Sequence, residues 1–260
     1  MKVYFLSLLL IPTLAEAKIN ILLSYFDAFK RAPFNNSEKI AQNLEFKFIK
    51  SEEIKLTLCP LPTIYDEAYL RLEDCLKGQD QIPDLVISLG EGGCDLKLET
   101  SLKNLDYSYG PDNLGQERFN SSIITEGSLQ LPLKYPAMEM YCALKNWDRK
   151  NIKISNSAGS FVCNNTAYKM RYYYPDINYG FIHIPAHDCF MLQNKTQKAT
   201  EQLENMILSL AKKDLTKTSV LPILKQEIQF QIEQKRGCEK DFFEELGKKR
   251  NSFPASTQTN

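Results

Sequence analysis

The run Asp84–Leu89, DLVISL, constrains the fold more than any other stretch of this chain. It lacks the polar alternation of a strand with one wet face. It therefore reads as a strand covered on both sides, at the centre of a parallel sheet. Lys18–Ser24 (KINILLS), Asn151–Ser155 (NIKIS) and Gly180–Pro185 (GFIHIP) read as companion strands, and Phe46–Lys50 and Ile54–Cys59 as two more. Helical patterns fall between them: Ser37–Gln42, Leu61 to about Leu76, Leu131–Trp147, Asn164–Tyr173 and Thr196–Lys212. Ile64, Ala68, Leu72 and Leu76 recur at helical spacing in the second, and Leu203, Ile207 and Leu210 in the last. Strands alternating with helices predict an α/β fold, a three-layer α/β/α sandwich around a mostly parallel sheet.

Chemistry concentrates in Ser155–Pro185. A small-residue turn, Ser157-Ala158-Gly159-Ser160, leads into Phe161-Val162-Cys163 and then a helical run. The next strand carries His183, one of two histidines. A cysteine where a turn meets a helix lies by unpaired N–H groups and the positive end of the helix dipole, which favours thiolate. An imidazole, which titrates near neutral pH, supplies a base for such a nucleophile. Spacing alone is equally compatible with a buried cysteine and a satisfied core histidine.

The segments Ala158-Gly159-Ser160-Phe161-Val162-Cys163-Asn164 and Gly180-Phe181-Ile182-His183-Ile184-Pro185 resemble the two signature motifs of the pyroglutamyl peptidase I (pyrrolidone-carboxylate peptidase) family. They stand in the family's order and spacing. Further matches are Phe26, Phe29, Asn35 and Ser37 in a GFxPF…N-P-S element, Pro62-Thr63, a GxxGG-like turn at Gly90–Gly93, Glu99…Asn104 and Pro111-Asp112-Asn113. The resemblance spans about Lys18–Lys212 and implies the same sandwich fold. It implies a cysteine omega-peptidase that removes an N-terminal pyroglutamyl residue from peptides, with no metal or cofactor. Cys163 is then the nucleophile, His183 its acid and base, and Glu99 the carboxylate that holds the imidazole. Phe26, Phe29, Thr63, Glu91, Phe161 and Val162 are implied to shape the substrate pocket, with Tyr109 at the scissile carbonyl.

The chain departs from the family pattern at several of these positions. Tyr25 and Lys30 replace glycines, Ala28 a proline, Glu91 a glutamine, and Thr100 and Tyr109 arginines. These departures bear on rate and exact substrate. They leave room for a related hydrolase of another N-acyl or lactam substrate, or for a non-catalytic binding protein on the same fold.

The N-terminus reads as an export signal over 1–17: Lys2, an apolar Val3–Leu14 too short to span a bilayer, and an Ala15-Glu16-Ala17 cleavage pattern. Seven cysteines fit an oxidising compartment, secreted or periplasmic. Six can pair, in an order the sequence does not fix, and a nucleophilic Cys163 should be the one left over. Four sequons, at Asn35, Asn120, Asn164 and Asn194, include one beside that nucleophile, which favours a bacterial exterior over a eukaryotic secretory route. Equal counts of 32 basic and 32 acidic residues give no electrostatic case for nucleic acid. A homo-oligomer is compatible with the sequence. Residues 213–260 read as an extension with a helix at Val220–Lys235 and a polar tail.

Overall fold

The computed structural model describes residues 19–211 and 237–247. The expected signal segment and the helix at Val220–Lys235 lie outside them. In chain order the elements are β1 (Ile19–Phe26), α1 (Asn36–Phe48), β2 (Ile54–Leu61), α2 (Glu67–Lys77), β3 (Leu85–Glu91), β4 (Leu96–Glu99) and β5 (Ser101–Lys103). They continue with β6 (Gln130–Pro132), α3 (Ala137–Cys142), α4 (Asn146–Arg149), β7 (Ile152–Ser155), α5 (Val162–Tyr173), β8 (Tyr179–Ile184) and α6 (Leu192–Ala211). A further helix covers 237–247. Six strands form one sheet in the order β2-β1-β3-β8-β4-β7, and β5 pairs with β6 beside it. Every pairing of the large sheet is parallel except β4 with β8.

Apolar side chains cover both faces. Ile21, Leu23, Ile87, Leu89, Leu98, Ile182 and Ile184 pack on one face against Ile40 and Leu44 of α1 and Leu203 and Met206 of α6. Leu22, Phe26, Val86, Tyr179 and Phe181 pack on the other against Leu72 of α2 and Ala167 and Met170 of α5. This is the three-layer α/β/α sandwich expected from the apolar runs.

Three local expectations are corrected. Residues 46–48 are not a strand but the last turn of α1. Asn35 starts that helix by accepting from the Ser37 N–H at 3.0 Å. Ile40, Ala41, Leu44 and Phe48 then bury one stripe, so Phe48 belongs to a helical face while Phe46 stands exposed. Leu61–Thr63 does not open a helix. Leu61 ends β2, and α2 starts at Glu67 because the Thr63 N–H and hydroxyl are taken by Asp27. The helix expected over 131–147 is broken into β6, α3 and α4, with Pro132 and Pro136 setting the breaks.

Three disulfides staple this frame: Cys59–Cys75, Cys94–Cys189 and Cys142–Cys238. The first ties β2 to α2, and the third ties α3 to the 237–247 helix. Cys94–Cys189 clamps the turn after β3 to the loop after β8, across a separation of 95 residues. Closing so long a loop restricts the unfolded chain by about 4 kcal/mol in the chain-entropy account. The double variant Cys94→Ser/Cys189→Ser should therefore lose about 2–4 kcal/mol of stability in urea titration. A loss below about 0.5 kcal/mol would show that the clamp adds nothing to the fold.

Candidate active site

Strand parity builds the site. Side chains alternate between the two faces of a strand. On β8, Ile182 and Ile184 lie in the α1–α6 layer, so Tyr179, Phe181 and His183 point to the α5 layer. On β4, Leu96 and Leu98 lie in the α1–α6 layer, so Glu99 shares the face of His183. The antiparallel pairing of Lys97 with His183 brings the end of β4 beside the imidazole. Glu99 Oε1 lies 2.8 Å from His183 Nδ1. The carboxylate is fully buried and its second oxygen has no partner among the described residues.

β3 contributes glycines. Its Ile87 and Leu89 lie in the α1–α6 layer, so Ser88 and Gly90 face α5. A methyl group at position 90 would sit 2.9 Å from both Cys163 Sγ and the Phe181 ring. A methyl at position 92 would overlap the His183 ring. The bare backbone at these two positions lets thiol and imidazole settle over the end of β3. This gives the Gly90–Gly93 turn a steric purpose with no phosphate involved.

Cys163 is the second residue of α5, after Val162, with Phe161 at the N-cap position. The earliest bond of that turn runs from Asn165 N–H to Phe161 C=O at 3.0 Å. The N–H groups of Val162, Cys163 and Asn164 are thus left without partners inside the helix, aimed at any oxyanion formed beside Sγ. Cys163 is the free cysteine of the seven. Among the described residues no hydrogen bond joins its Sγ to His183.

Burial pushes the Cys163 thiol up to about 12, and the charges of Glu91 and Glu99 add to the effect. Loss of solvent around the thiol, with the two carboxylate charges adding to it, opposes the thiolate that a helix N-terminus favours. Alkylation of native protein by iodoacetamide at pH 7 should be far slower than that of a free thiol, and should climb about tenfold per pH unit through pH 9. A plateau below pH 8 would contradict this.

The remaining residues divide by position. Phe29 is half-buried and meets Phe161 edge-on at 5.3 Å, and Phe161 meets Tyr65 at 5.2 Å. Phe26 and Val162 are buried in the α2–α5 layer, where Phe26 packs on Phe181. Thr63 is buried, with its hydroxyl donated to Asp27 C=O at 3.1 Å. Tyr109 is 96% exposed and touches the Tyr107 ring.

Glu91 spends its carboxylate inside the protein. Oε1 accepts from the N–H groups of Asn36, at the start of α1, and His187, while Oε2 pairs with His187 Nδ1 at 2.9 Å. It is a clip between α1 and the loop after β8.

Several supporting residues escaped sequence reasoning. Tyr135 donates its hydroxyl to the Glu99 C=O at 2.8 Å, and its ring lies where a side chain at Gly180 would stand. Tyr179, Ser88 and Ser24 form a buried hydroxyl chain on the same face as the imidazole. Asn164 is buried, donating to Lys103 C=O and Leu105 C=O, so it locks the β5 arm to α5. Apart from Asn164, which follows the cysteine in its motif, none belongs to a motif readable from spacing.

With this geometry in place, the comparisons with known proteins are informative. The pyroglutamyl peptidase family model matches residues 19–215. The chain belongs to the pyroglutamyl peptidase family. Pyrrolidone-carboxylate peptidase from a Thermoanaerobacter species is 33% identical over 176 residues, 64% of this chain and 82% of the relative. Pyrrolidone-carboxylate peptidase 2 from Caldanaerobacter subterraneus is 30% identical over 201 residues, 74% and 93% of the two chains. Among solved structures, pyroglutamyl peptidase I from Bacillus amyloliquefaciens superposes with a TM-score of 0.65 at 23% identity, covering 75% of this chain and 96% of its own. A variant of pyrrolidone carboxyl peptidase from Pyrococcus furiosus gives 0.62 at 23% identity, covering 74% and 97%. These structures share the fold described above.

Proposed function

We propose that this chain is a cysteine-type pyroglutamyl peptidase working through Cys163, His183 and Glu99. The observation that carries the reading is the free Cys163 in the first turn of α5, on the sheet face that also holds the bonded Glu99–His183 pair. Cys163 attacks the pyroglutamyl carbonyl carbon as His183 Nε2 takes the thiol proton. The oxyanion is held by N–H groups of the first turn of α5. Collapse breaks the C–N bond, and the imidazolium returns the proton to the departing amine. The thioester is then cleaved by water, with His183 as base, releasing pyroglutamate and the thiol.

The flat lactam ring lies against Phe29 and Phe161, with Phe26, Thr63 and Val162 forming the floor beneath them. Tyr109 reaches the scissile carbonyl only if its arm folds inward, since its side chain stands in solvent. Its replacement by phenylalanine bears on rate far less than any change to the triad. No helix among the described residues is long and apolar enough to cross a membrane.

The reading extends to location. The protein is exported to a periplasm or the cell exterior. The 1–17 signal pattern and six cysteines joined in three disulfides support this. The test is release of a fluorescent amine from a pyroglutamyl amide by the chain starting at Lys18. Turnover, with an alanyl amide untouched, supports the assignment. A folded protein with a free Cys163 and no turnover overturns it in favour of another N-acyl substrate.

A further inference from the structure

A cleft of about 610 Å³ opens beside the nucleophile turn. Its wall runs from Ser157 to Phe161 on one side and along the 103–110 arm on the other. The two walls are tied together. Ser160 Oγ donates to Tyr107 C=O at 2.9 Å, and the Tyr107 N–H donates to Ser160 C=O at 2.9 Å. Clefts of similar volume occur elsewhere on the surface, so size does not single this one out. Its place does: it begins two residues before Cys163, and it contains Phe29 and Phe161.

The charge in this cleft is one-sided. Lys30 and Lys103 line it, and no carboxylate does. Among the described residues neither ammonium group has an acidic partner. Lys30 is held in place by its backbone. It has φ of 53°, a left-handed conformation that a non-glycine residue adopts at a cost, and its N–H donates to Asn113 Oδ1 at 2.8 Å. Asn113 is fixed in turn by the Ala28 C=O at 2.9 Å. The Lys30 ammonium lies 4.8 Å from the Phe29 ring centre and against Gly110. Lys103 is fixed through its backbone, whose N–H and C=O both bond the Asn164 side chain. Two cations without acidic partners among the described residues thus extend from fixed backbone positions into the cleft beside the reacting centre.

We infer that this cleft takes the peptide that follows the pyroglutamyl residue, and that Lys30 and Lys103 select peptides carrying an acidic side chain at the first or second position after the scissile bond. The inference rests on the peptidase reading above. Tyr107 and Tyr109 give the peptide backbone an aromatic shelf, and the two ammonium groups meet its carboxylate. Exposed ion pairs are individually weak, so the two together should raise kcat/KM about tenfold for an acidic over an isosteric neutral peptide. The preference should shrink as salt is raised, because the groups are within reach of solvent.

The test compares kcat/KM for pyroglutamyl-Glu and pyroglutamyl-Gln peptide amides, in the wild-type chain and in Lys30→Ala, Lys103→Ala and their double variant. The expected result is a Glu/Gln ratio near ten at low salt that falls towards one in the double variant, with Lys30→Glu inverting it. A ratio near one in the wild type, with both peptides turned over, overturns this inference alone. So does a preference that survives the double variant. Failure to cleave any pyroglutamyl substrate overturns the peptidase reading and this inference with it.

Discussion

Replacing Cys163 by alanine is expected to lower pyroglutamyl amide turnover by on the order of a million-fold, the scale of loss seen when a covalent nucleophile is removed. In the proposed mechanism the acyl intermediate forms on this sulfur. Without it, water must attack the amide directly, helped only by binding and by the N–H groups of the first turn of α5. The fold should barely notice. Sγ lies beside Gly90 at the end of β3, and removing a single sulfur atom there should cost little stability. A thermal midpoint within a few degrees of wild type would separate loss of chemistry from loss of structure. Cys163→Ser keeps the shape with a poorer nucleophile and should fall nearly as far. Rapid acid quenching of the wild-type reaction should trap a pyroglutamyl thioester at Cys163, visible as a mass increase on one peptide. Substantial residual turnover in Cys163→Ala, with no trapped adduct, would refute covalent catalysis by this residue.

The layers were legible in the sequence because burial on both faces leaves a strong mark. DLVISL, KINILLS and GFIHIP are apolar without alternation, and each became a strand of the central sheet. That same property hid the site. Every residue of β8 is buried, so its pattern cannot say which face His183 occupies. The answer comes from the neighbours, through the antiparallel register with β4 that puts Glu99 on the imidazole. Nor could the sequence show that β4 runs antiparallel to β8, because it has only four residues and no hairpin to β8. The Phe46–Phe48 segment misled because an aromatic-polar-aromatic triplet imitates a strand, while the decisive signal was the cap eleven residues earlier at Asn35. The surroundings of the thiol were legible only in part. A helix N-terminus is visible in sequence, but the carboxylates that oppose it come from β3 and β4. Glu91 was read as pocket wall, and only the fold reveals His187 and Asn36 as the groups that occupy it.

Glu99→Gln is the second large expected effect, a fall in kcat of about a thousandfold with KM nearly unchanged. The carboxylate has two tasks. Its Oε1 accepts from Nδ1 at 2.8 Å, which places the base lone pair on Nε2, towards the thiol. Its negative charge also stabilises the imidazolium formed when Cys163 attacks. An amide carries no charge, and if its NH2 turns towards Nδ1 it selects the tautomer with a proton on Nε2, where the ring cannot accept one. Loss of the orienting carboxylate in a serine triad costs about ten-thousandfold for this reason. A smaller loss is expected here because a thiol is more acidic than a hydroxyl and needs less help from its base. The variant should remain folded and gain slightly in stability, since Glu99 is fully buried with Oε2 unpartnered, a costly arrangement that the neutral amide relieves. Opposite signs in activity and stability are the distinguishing feature. They would mark Glu99 as a group kept for chemistry at the expense of the fold. If Glu99→Gln retained more than a tenth of wild-type kcat, His183 would not depend on this carboxylate. If it lost both activity and stability, the role of Glu99 would be to hold β4 against β8, and the triad would reduce to Cys163 and His183.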